Sequence, residues 1–390
     1  MSKPSAAAWT IDKSLADELG YNPYCRRING KEAGLLHVEG RACIDFASND
    51  YLGLAGDKRV RRAMVEALDC YGASMCGTPV AVGGSEPLRE LETRLARFIG
   101  LEDAVVFPSC YQANLSIFSA LADPDDLILI DHYAHASLIQ GARASRAELK
   151  PFLHNNMAHL EKMLAKSSSH ARRFVVTESV FSTSGVLAPL DELVDLCRRY
   201  DGLAVIDDSH GIGVIGESGR GGPEEFNVRD FSGIYVASLG KALGGQGGVV
   251  SASHDIIDYL RYSCPGLIYS TGLTPAAAAG VLTGLEIVER EYRPLAKRLW
   301  DNKAMVYSAL QVGGFNVAEG SAPIISLQCG SAEQTIRMAK QLHGAAVFTT
   351  PFIPPSVPMG KGCVRMIAGA GVDGETMDRA LQVLSRLKGV

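Results

Sequence analysis

The sequence predicts an α/β fold in which a mainly parallel sheet is flanked by helices, followed by a small C-terminal α+β unit. Two observations support this. Short apolar runs alternate with helical segments between about residues 100 and 252, which is typical of βαβ units. From about residue 295 this alternation ends. A chain of 390 residues also suits one large domain and one smaller domain.

Residues 1–50 are predicted to form an N-terminal arm that begins with a loose polar tail at residues 1–8. Apolar residues at helical spacing then predict helices over residues 57–71 and 86–98, with Gly-rich chain between them.

Six apolar runs predict the strands of a doubly wound sheet in a large domain of residues 51–293. The predicted strands are 104–107, 127–130, 174–177, 203–206, 234–237 and 248–251, with helices at 159–166 and 190–200 and a long helix from 276 to at least 292.

Residues 294–390 are predicted to form the small α+β domain. It would contain strands at 323–327 and 364–367 and helices at 332–343 and 374–388.

Composition narrows the function. The net charge of −5 and pI of about 6.0 give no electrostatic basis for binding nucleic acid or an anionic membrane. The nine cysteines contain no C-x-x-C pair, which argues for free thiols and against a zinc site. No signal region and no apolar run of about 18 residues appears. We therefore expect a cytoplasmic protein with no membrane span and no bound metal.

One predicted strand, 203–206, runs into the polar residues Asp207, Asp208, Ser209 and His210. Side chains at this end of a buried parallel strand face the crevice where ligands bind. Lys241 follows in a Gly-rich turn. Considered separately, each residue has an ordinary structural explanation: Asp207 could be a helix N-cap, and Lys241 could be a solvated surface residue. Together they indicate pyridoxal phosphate (PLP), with the lysine forming the Schiff base and the aspartate holding the pyridine nitrogen.

Other candidates follow neighbouring strands. Backbone N–H groups at Ser109, Cys110 and Tyr111 can face an anion, or form an ordinary strand–helix turn. His135 and His210 can contact a cofactor ring or be structural histidines.

Glu178 and Ser182 end another strand and are weaker cofactor candidates. Arg365 is a charge within an apolar strand, so it needs a carboxylate partner, from either the protein or a substrate.

Taken together, these motifs resemble the α-oxoamine synthases, a family of fold-type I PLP enzymes, from about Asn22 to the C-terminus. The string SNDYLGL at residues 48–54 separates this family from ordinary aminotransferases. The other markers are AN at 113–114, HAS at 135–137, DDSHG at 207–211, GESGRG at 216–221, the stretch 238–248, ST at 270–271 and the stretch 354–365.

The resemblance implies a role for each matching residue. Lys241 would be the Schiff-base lysine and the proton-transfer base, Asp207 would pair with the ring nitrogen, His210 with the phenolic oxygen, and His135 would stack on the ring. Backbone at Cys110 and Tyr111, together with Ser238, would bind the phosphate.

The resemblance also implies a homodimer with shared active sites, because Thr271 would reach the phosphate of the neighbouring subunit. Arg365 would bind the amino-acid carboxylate and Asn49 would lie near the substrates.

The implied reaction is decarboxylative condensation of an α-amino acid with an acyl-CoA, giving an α-aminoketone. Residues 141–143, 154–156 and 181–185 are similar to the long-chain α-aminoketone autoinducer synthases. The alternatives within the family are 8-amino-7-oxononanoate synthase and glycine C-acetyltransferase activity. Outside it, a PLP aminotransferase or lyase and a non-catalytic PLP-fold binding module stay open, as does a carrier-protein acyl donor.

Some positions depart from the common pattern of the family. Cys110 replaces a glycine, Leu88 a frequent histidine, and Gly371-Val372 a frequent His-Thr pair. Thr78-Pro79 and Thr183-Ser184 also differ. Apart from Cys110, these departures are expected where substrates are shaped.

Overall fold

A computed structural model describes residues 13–387. Its centre is a seven-stranded sheet with the order β4-β10-β9-β8-β7-β5-β6. The strands are β4 Asp103–Phe107, β5 Leu127–Asp131, β6 Glu148–Phe152, β7 Arg173–Glu178, β8 Leu203–Asp207, β9 Ile234–Ser238 and β10 Gly248–Ala252.

The α/β prediction is confirmed, and so are the six predicted strands. Neighbouring strands from β6 to β9 are parallel, whereas β10 is antiparallel to both β9 and β4. Strand β6 was not predicted. It lies at the sheet edge and most of its side chains are not buried, so it lacks the apolar run that marks the other strands.

Helices cover both faces of this sheet. The helices of the described residues are α1 Ser14–Leu19, α2 Lys58–Tyr71, α3 Glu86–Ile99, α4 Cys110–Leu121, α5 Ala136–Ala144, α6 Met157–Leu164, α7 Leu190–Arg199, α8 Gly222–Glu225, α9 His254–Ser263, α10 Pro265–Ile268, α11 Pro275–Val312, α12 Ala332–Gly344 and α13 Gly374–Arg386. Of these, α1, α12 and α13 pack in the C-terminal unit instead. Within β4, Ala104 and Val106 pack into one apolar cluster and Val105 and Phe107 into another. The alternation shows that both faces of the sheet are buried, as an unbroken apolar strand requires.

The C-terminal unit contains a three-stranded antiparallel sheet, β11-β14-β13, formed by Ile325–Gly330, Gly362–Met366 and Thr350–Phe352. A second small sheet combines the N-terminal strands β1 Ile28–Glu32, β2 Leu35–Val38 and β3 Arg41–Asp45 with β12 Val347–Phe348. The N-terminal segment therefore pairs with the C-terminal part of the chain.

Helix α11 connects the large and small units without interruption. It is 38 residues long and continues through Pro294, beyond the predicted helix. The division at residues 51 and 294 stays a prediction, and residues 1–8 and 388 of the predicted tail and last helix lie outside the described residues. All nine cysteines are free thiols. Among residues 13–387 no helix combines the length and the apolarity that crossing a bilayer requires.

Candidate active site

A cavity of about 330 Å³ opens at the carboxyl edge of the large sheet. Strands β7, β8 and β9 end there in Glu178, Asp207 and Ser238. The structure thus brings together residues that are far apart in sequence, as parallel strands do at their carboxyl ends. Of the predicted site residues, those lining the cavity are Cys110, Tyr111, His135, Glu178, Asp207, His210, Ser238 and Lys241.

Asp207 is 4 % exposed and is held at both oxygens. Its Oδ1 accepts the Ser209 N–H at 3.0 Å and its Oδ2 accepts the Asn114 side-chain Nδ2 at 2.7 Å. These bonds fix the carboxylate while leaving acceptor capacity on the cavity side. Sequence reasoning quoted Asn114 only as a family marker. Its position in the second turn of α4, close to the sheet edge, is the signal that would have identified its contact.

Lys241 lies in the loop between β9 and β10 and lines the same cavity. Burial lowers the pKa of Lys241 below that of an ordinary lysine, although the nearby Asp207 charge opposes this shift. A lowered pKa increases the fraction of neutral amine, which is the form that attacks carbonyl carbons and accepts protons.

His210 is buried and its Nδ1 lies 2.7 Å from the hydroxyl of buried Tyr51. Burial, reinforced by the Lys241 charge, lowers the pKa of His210, so the ring is neutral at pH 7. Since Tyr51 occupies Nδ1, Nε2 is the nitrogen available to a ligand. The role of Tyr51 was missed, although it belongs to the string at residues 48–54.

Glu178 pairs in register with Asp207 on the adjacent strand. Burial, and then the Asp207 charge, raises the pKa of Glu178 well above its usual range, which favours the neutral acid. Its carboxyl group accepts the backbone N–H of His135. Glu178 therefore supports the segment that carries His135.

The first turn of α4 forms one wall of the cavity. Ser109 caps the helix by accepting the Gln112 N–H at 3.1 Å. The N–H groups of Cys110 and Tyr111 have no acceptor within the helix, and such groups favour an anion. Gly248 permits this packing, because a Cβ there would lie 2.3 Å from the Cys110 Cα. Burial raises the pKa of the Cys110 thiol, so this departure from glycine adds no charge.

The remaining predicted residues lie outside the cavity lining. Arg365 is 7 % exposed; its Nη1 donates to the Ser182 carbonyl at 3.3 Å, and its guanidinium lies 5.0 Å from the Phe352 ring centroid. Within residues 13–387, no carboxylate forms an ion pair with Arg365. The sequence left two possible partners for Arg365, a protein carboxylate or a substrate carboxylate. The described residues provide no protein carboxylate.

Asn49 and Thr271 occupy different surroundings. The Asn49 Oδ1 is buried without a hydrogen-bond partner in the described structure. Thr271 is exposed, and the following residue, Gly272, donates its N–H to the Gly77 carbonyl. Their contacts with substrate and partner subunit stay predictions.

Two departures from the family pattern do not face the site. Leu88 is fully buried in the main core and Val372 is buried in the core of the small unit. Both side chains pack against apolar neighbours and neither lines the cavity, so their expected role in shaping the substrate pocket stays a prediction. Thr183 directly follows Ser182, whose carbonyl binds Arg365, so this departure does adjoin the site.

The chain is similar to known proteins over almost its whole length. The profile of class I and II aminotransferases matches residues 41–384. The 8-amino-7-oxononanoate synthase of Geobacter sulfurreducens is 37% identical over 384 residues, 97% of this chain and 98% of the relative. Serine palmitoyltransferase of Bacteriovorax stolpii is 34% identical over 366 residues, 94% and 87% of the two chains. The solved structure of Sphingomonas wittichii serine palmitoyltransferase superposes with a TM-score of 0.92 at 28% identity, covering 96% of this chain and 94% of that chain.

Proposed function

Because this chain belongs to the class I and II aminotransferase family, and within it to the α-oxoamine synthases, we propose that it condenses an α-amino acid with an acyl-CoA. The products are an α-aminoketone, free CoA and CO₂. The observation that carries this proposal is the placement of Lys241 and Asp207 in one cavity, with Arg365, which has no counter-ion among the described residues, near enough for its charge to act on Lys241.

The residues of the cavity fit PLP by their chemistry. Lys241 offers an amine to its aldehyde, Asp207 an acceptor to its pyridine N–H, and His210 a nitrogen to its phenolic oxygen. The first turn of α4 and Ser238 offer donors to its phosphate. We call this group of residues the cofactor end. When bound, PLP supplies an electron sink for the charge left on the amino-acid Cα.

The protein's own residues then have distinct tasks. Arg365 binds the substrate carboxylate, since its buried guanidinium has no protein counter-ion among the described residues. Lys241 removes the Cα proton and later returns one, for which its lowered pKa is suited. Asn49 lies near the same region in this proposal. Ser182, which was predicted as a weaker cofactor candidate, is placed there instead because its carbonyl accepts a hydrogen bond from Arg365. We call Arg365, Asn49 and Ser182 the substrate end.

Two further parts of the proposal rest on the resemblance. The protein acts as a homodimer in which Thr271 reaches the partner's site, and its exposed position is compatible with that. A cytoplasmic location is also proposed, because the substrates are an amino acid and an acyl-CoA.

The acyl chain is proposed to be long, with a product similar to sphingoid bases or autoinducers, since residues 141–143, 154–156 and 181–185 are similar to the long-chain α-aminoketone autoinducer synthases. The second candidate is 8-amino-7-oxononanoate synthase activity, favoured by the identity to the Geobacter sulfurreducens relative. That product ends in a carboxylate, so its acyl donor must also carry one. Glycine C-acetyltransferase activity would require a short chain instead.

The decisive experiment measures free-thiol release with glycine, alanine, serine and 2-aminobutyrate against short, medium, long and ω-carboxylated acyl-CoAs. Release that requires both substrates supports the condensation and identifies the pair. Amino-group transfer without thiol release would support an aminotransferase or lyase instead. If PLP binds but no acyl-CoA reacts, the assay is repeated with an acylated carrier protein. Turnover with the carrier would support a protein-bound acyl donor, and no turnover would support a non-catalytic module.

A further inference from the structure

A continuous set of hydrogen bonds connects His135 to Asp207 through two fully buried residues. The Asn114 side-chain Nδ2 donates to Asp207 Oδ2 at 2.7 Å and to Ser137 Oγ at 3.0 Å. Ser137 Oγ in turn lies 2.6 Å from His135 Nδ1. Asn114 and Ser137 are each 1 % exposed. We call Asn114 and Ser137 the relay.

The direction of these bonds is set by the Ser137 backbone N–H, which can only donate. His135 caps helix α5, and its Nδ1 accepts the Ser137 backbone N–H at 3.3 Å. Since an N–H can only donate, Nδ1 must be unprotonated. Because Nδ1 is unprotonated, Ser137 directs its own O–H to the same Nδ1 and accepts from Asn114 Nδ2, which also donates to Asp207 and lies 3.8 Å from Cys110 Sγ. The ring hydrogen of His135 is therefore on Nε2.

Charge and packing support the same tautomer. The positive end of α5 disfavours a cationic imidazole at its N-cap. Burial also lowers the pKa of His135, against the opposing charge of Asp207. A neutral His135 places no charge at the cavity that it lines and leaves proton abstraction to Lys241.

This arrangement leaves one polar atom of Asn114 without a hydrogen bond. Its Oδ1 is buried and has no hydrogen-bond partner within the described chain. An unpaired buried carbonyl is destabilising. The amide is explained by what its nitrogen contacts, namely Asp207 and Ser137.

We propose that Asn114 and Ser137 are positioning residues, through which one amide both orients Asp207 and holds His135 as the neutral Nε2–H tautomer. This inference rests on the proposed function for its purpose, since it assigns Asp207 to the cofactor ring and His135 to its face. It does not depend on which amino acid or acyl donor reacts.

The test is ¹⁵N NMR of the full-length protein with labelled histidine, with and without PLP, using His135→Gln to assign the signals. In the wild type, we expect an unprotonated Nδ1 and a protonated Nε2. Asn114→Ala frees the Ser137 hydroxyl to rotate, so the tautomer ratio of His135 shifts toward Nδ1–H by about fivefold, as for one lost hydrogen bond. Asn114 does not touch His135, so this shift reports the relay.

Matched variants separate the relay from general damage. Gln112→Ala removes another amide from α4, one that donates to the Gly266 carbonyl at 2.7 Å, and leaves the His135 signals unchanged. Ser137→Ala keeps the Asn114–Asp207 contact but shifts the tautomer ratio, and Ser137→Thr restores it. With PLP, Asn114→Ala also weakens cofactor binding about tenfold, because Asp207 loses a charge-assisted bond.

Two results would overturn the proposal: a wild-type His135 that carries its hydrogen on Nδ1, or unchanged His135 signals in folded Asn114→Ala and Ser137→Ala proteins. The outcome is distinguishable from failure of the proposed function. If the tautomer shifts as expected but no acyl-CoA releases thiol, the relay stands and the assigned reaction is wrong.

Discussion

The cofactor end and the substrate end contrast in how their buried polar groups are paired. At the cofactor end, Asp207 is held by two donors and His210 by Tyr51. At the substrate end, Arg365 makes one 3.3 Å bond to a carbonyl, and the buried Asn49 Oδ1 has no partner among the described residues. A resident group needs side chains that are already oriented, whereas a substrate that comes and goes needs groups that it can pair itself.

The largest expected effect is the loss of the amine at the cofactor end. Lys241→Ala should lower turnover at least about 10³-fold, because the variant lacks both the amine that attaches PLP and the proton-transfer base. Stopped-flow thiol release measures turnover, and the visible absorption of lysine-attached PLP should be absent.

Lys303→Ala is the matched control for Lys241→Ala. Burial also lowers the pKa of Lys303, but its ammonium packs over Trp300 and Tyr307 and lies outside the cavity lining. We expect its turnover within about twofold of wild type, as for a substitution outside the site. Near-normal turnover of Lys241→Ala would contradict the role of Lys241 and therefore the assignment of the cofactor end.

The next prediction concerns Asp208, which follows Asp207 of the cofactor end, and its effect on stability at different pH values. Buried Asp208 accepts bonds from Ser179, from the Tyr235 hydroxyl and from the Gly222 N–H, and burial raises its pKa to about 7. The unfolded chain ionises it near pH 4. Its contribution to stability is therefore present at low pH and is lost as pH rises through 7, by about 3 kcal/mol between pH 5 and 7.5.

Urea unfolding at pH 5, 6, 7 and 7.5 measures this contribution when the wild type is compared with Asp208→Asn. The amide cannot ionise, so the free energy of unfolding of the variant should fall less with rising pH. Parallel profiles for the two proteins would show that Asp208 is ionised across the whole range.

The third prediction moves to the substrate end. Arg365→Met should raise the KM for the amino acid about 100-fold, since the carboxylate loses a charge-assisted bidentate partner. Binding of PLP, measured by absorption titration, should change less than about twofold because no cofactor-end residue is altered. Loss of PLP binding in this variant would show that the two ends are not separable.

The sequence predicted the cofactor end better than the substrate end for a physical reason. Buried parallel strands can be recognised in a sequence as apolar runs. Because their carboxyl ends lie at one edge of the sheet, they bring Glu178, Asp207 and Ser238 together. Nothing local indicates that Leu88 and Val372 point into cores, because an apolar residue suits a pocket and a core equally. Likewise the edge strand β6 and the pairing of β1–β3 with β12 depend on contacts between distant segments.

The relay shows the same limit on a smaller scale. Asn114 and Ser137 are visible in the sequence as family markers, but their shared bond joins a helix to the segment after a different strand. Only the fold places the amide between Asp207 and Ser137.

The smallest expected effect is on stability, and it has opposite signs at the two ends. A buried charge without a counter-ion is costly, and replacing it with an apolar side chain of similar volume is often stabilising. Arg365→Met should therefore raise the free energy of unfolding in the absence of substrate by about 1 kcal/mol. Asn114→Ala should lower it by about 1–2 kcal/mol, because Asp207 loses its partner in a buried site. Urea unfolding of the two variants without ligands measures both values. If both variants lost stability, Arg365 would be held by the protein itself, and the substrate end would be as fully paired as the cofactor end.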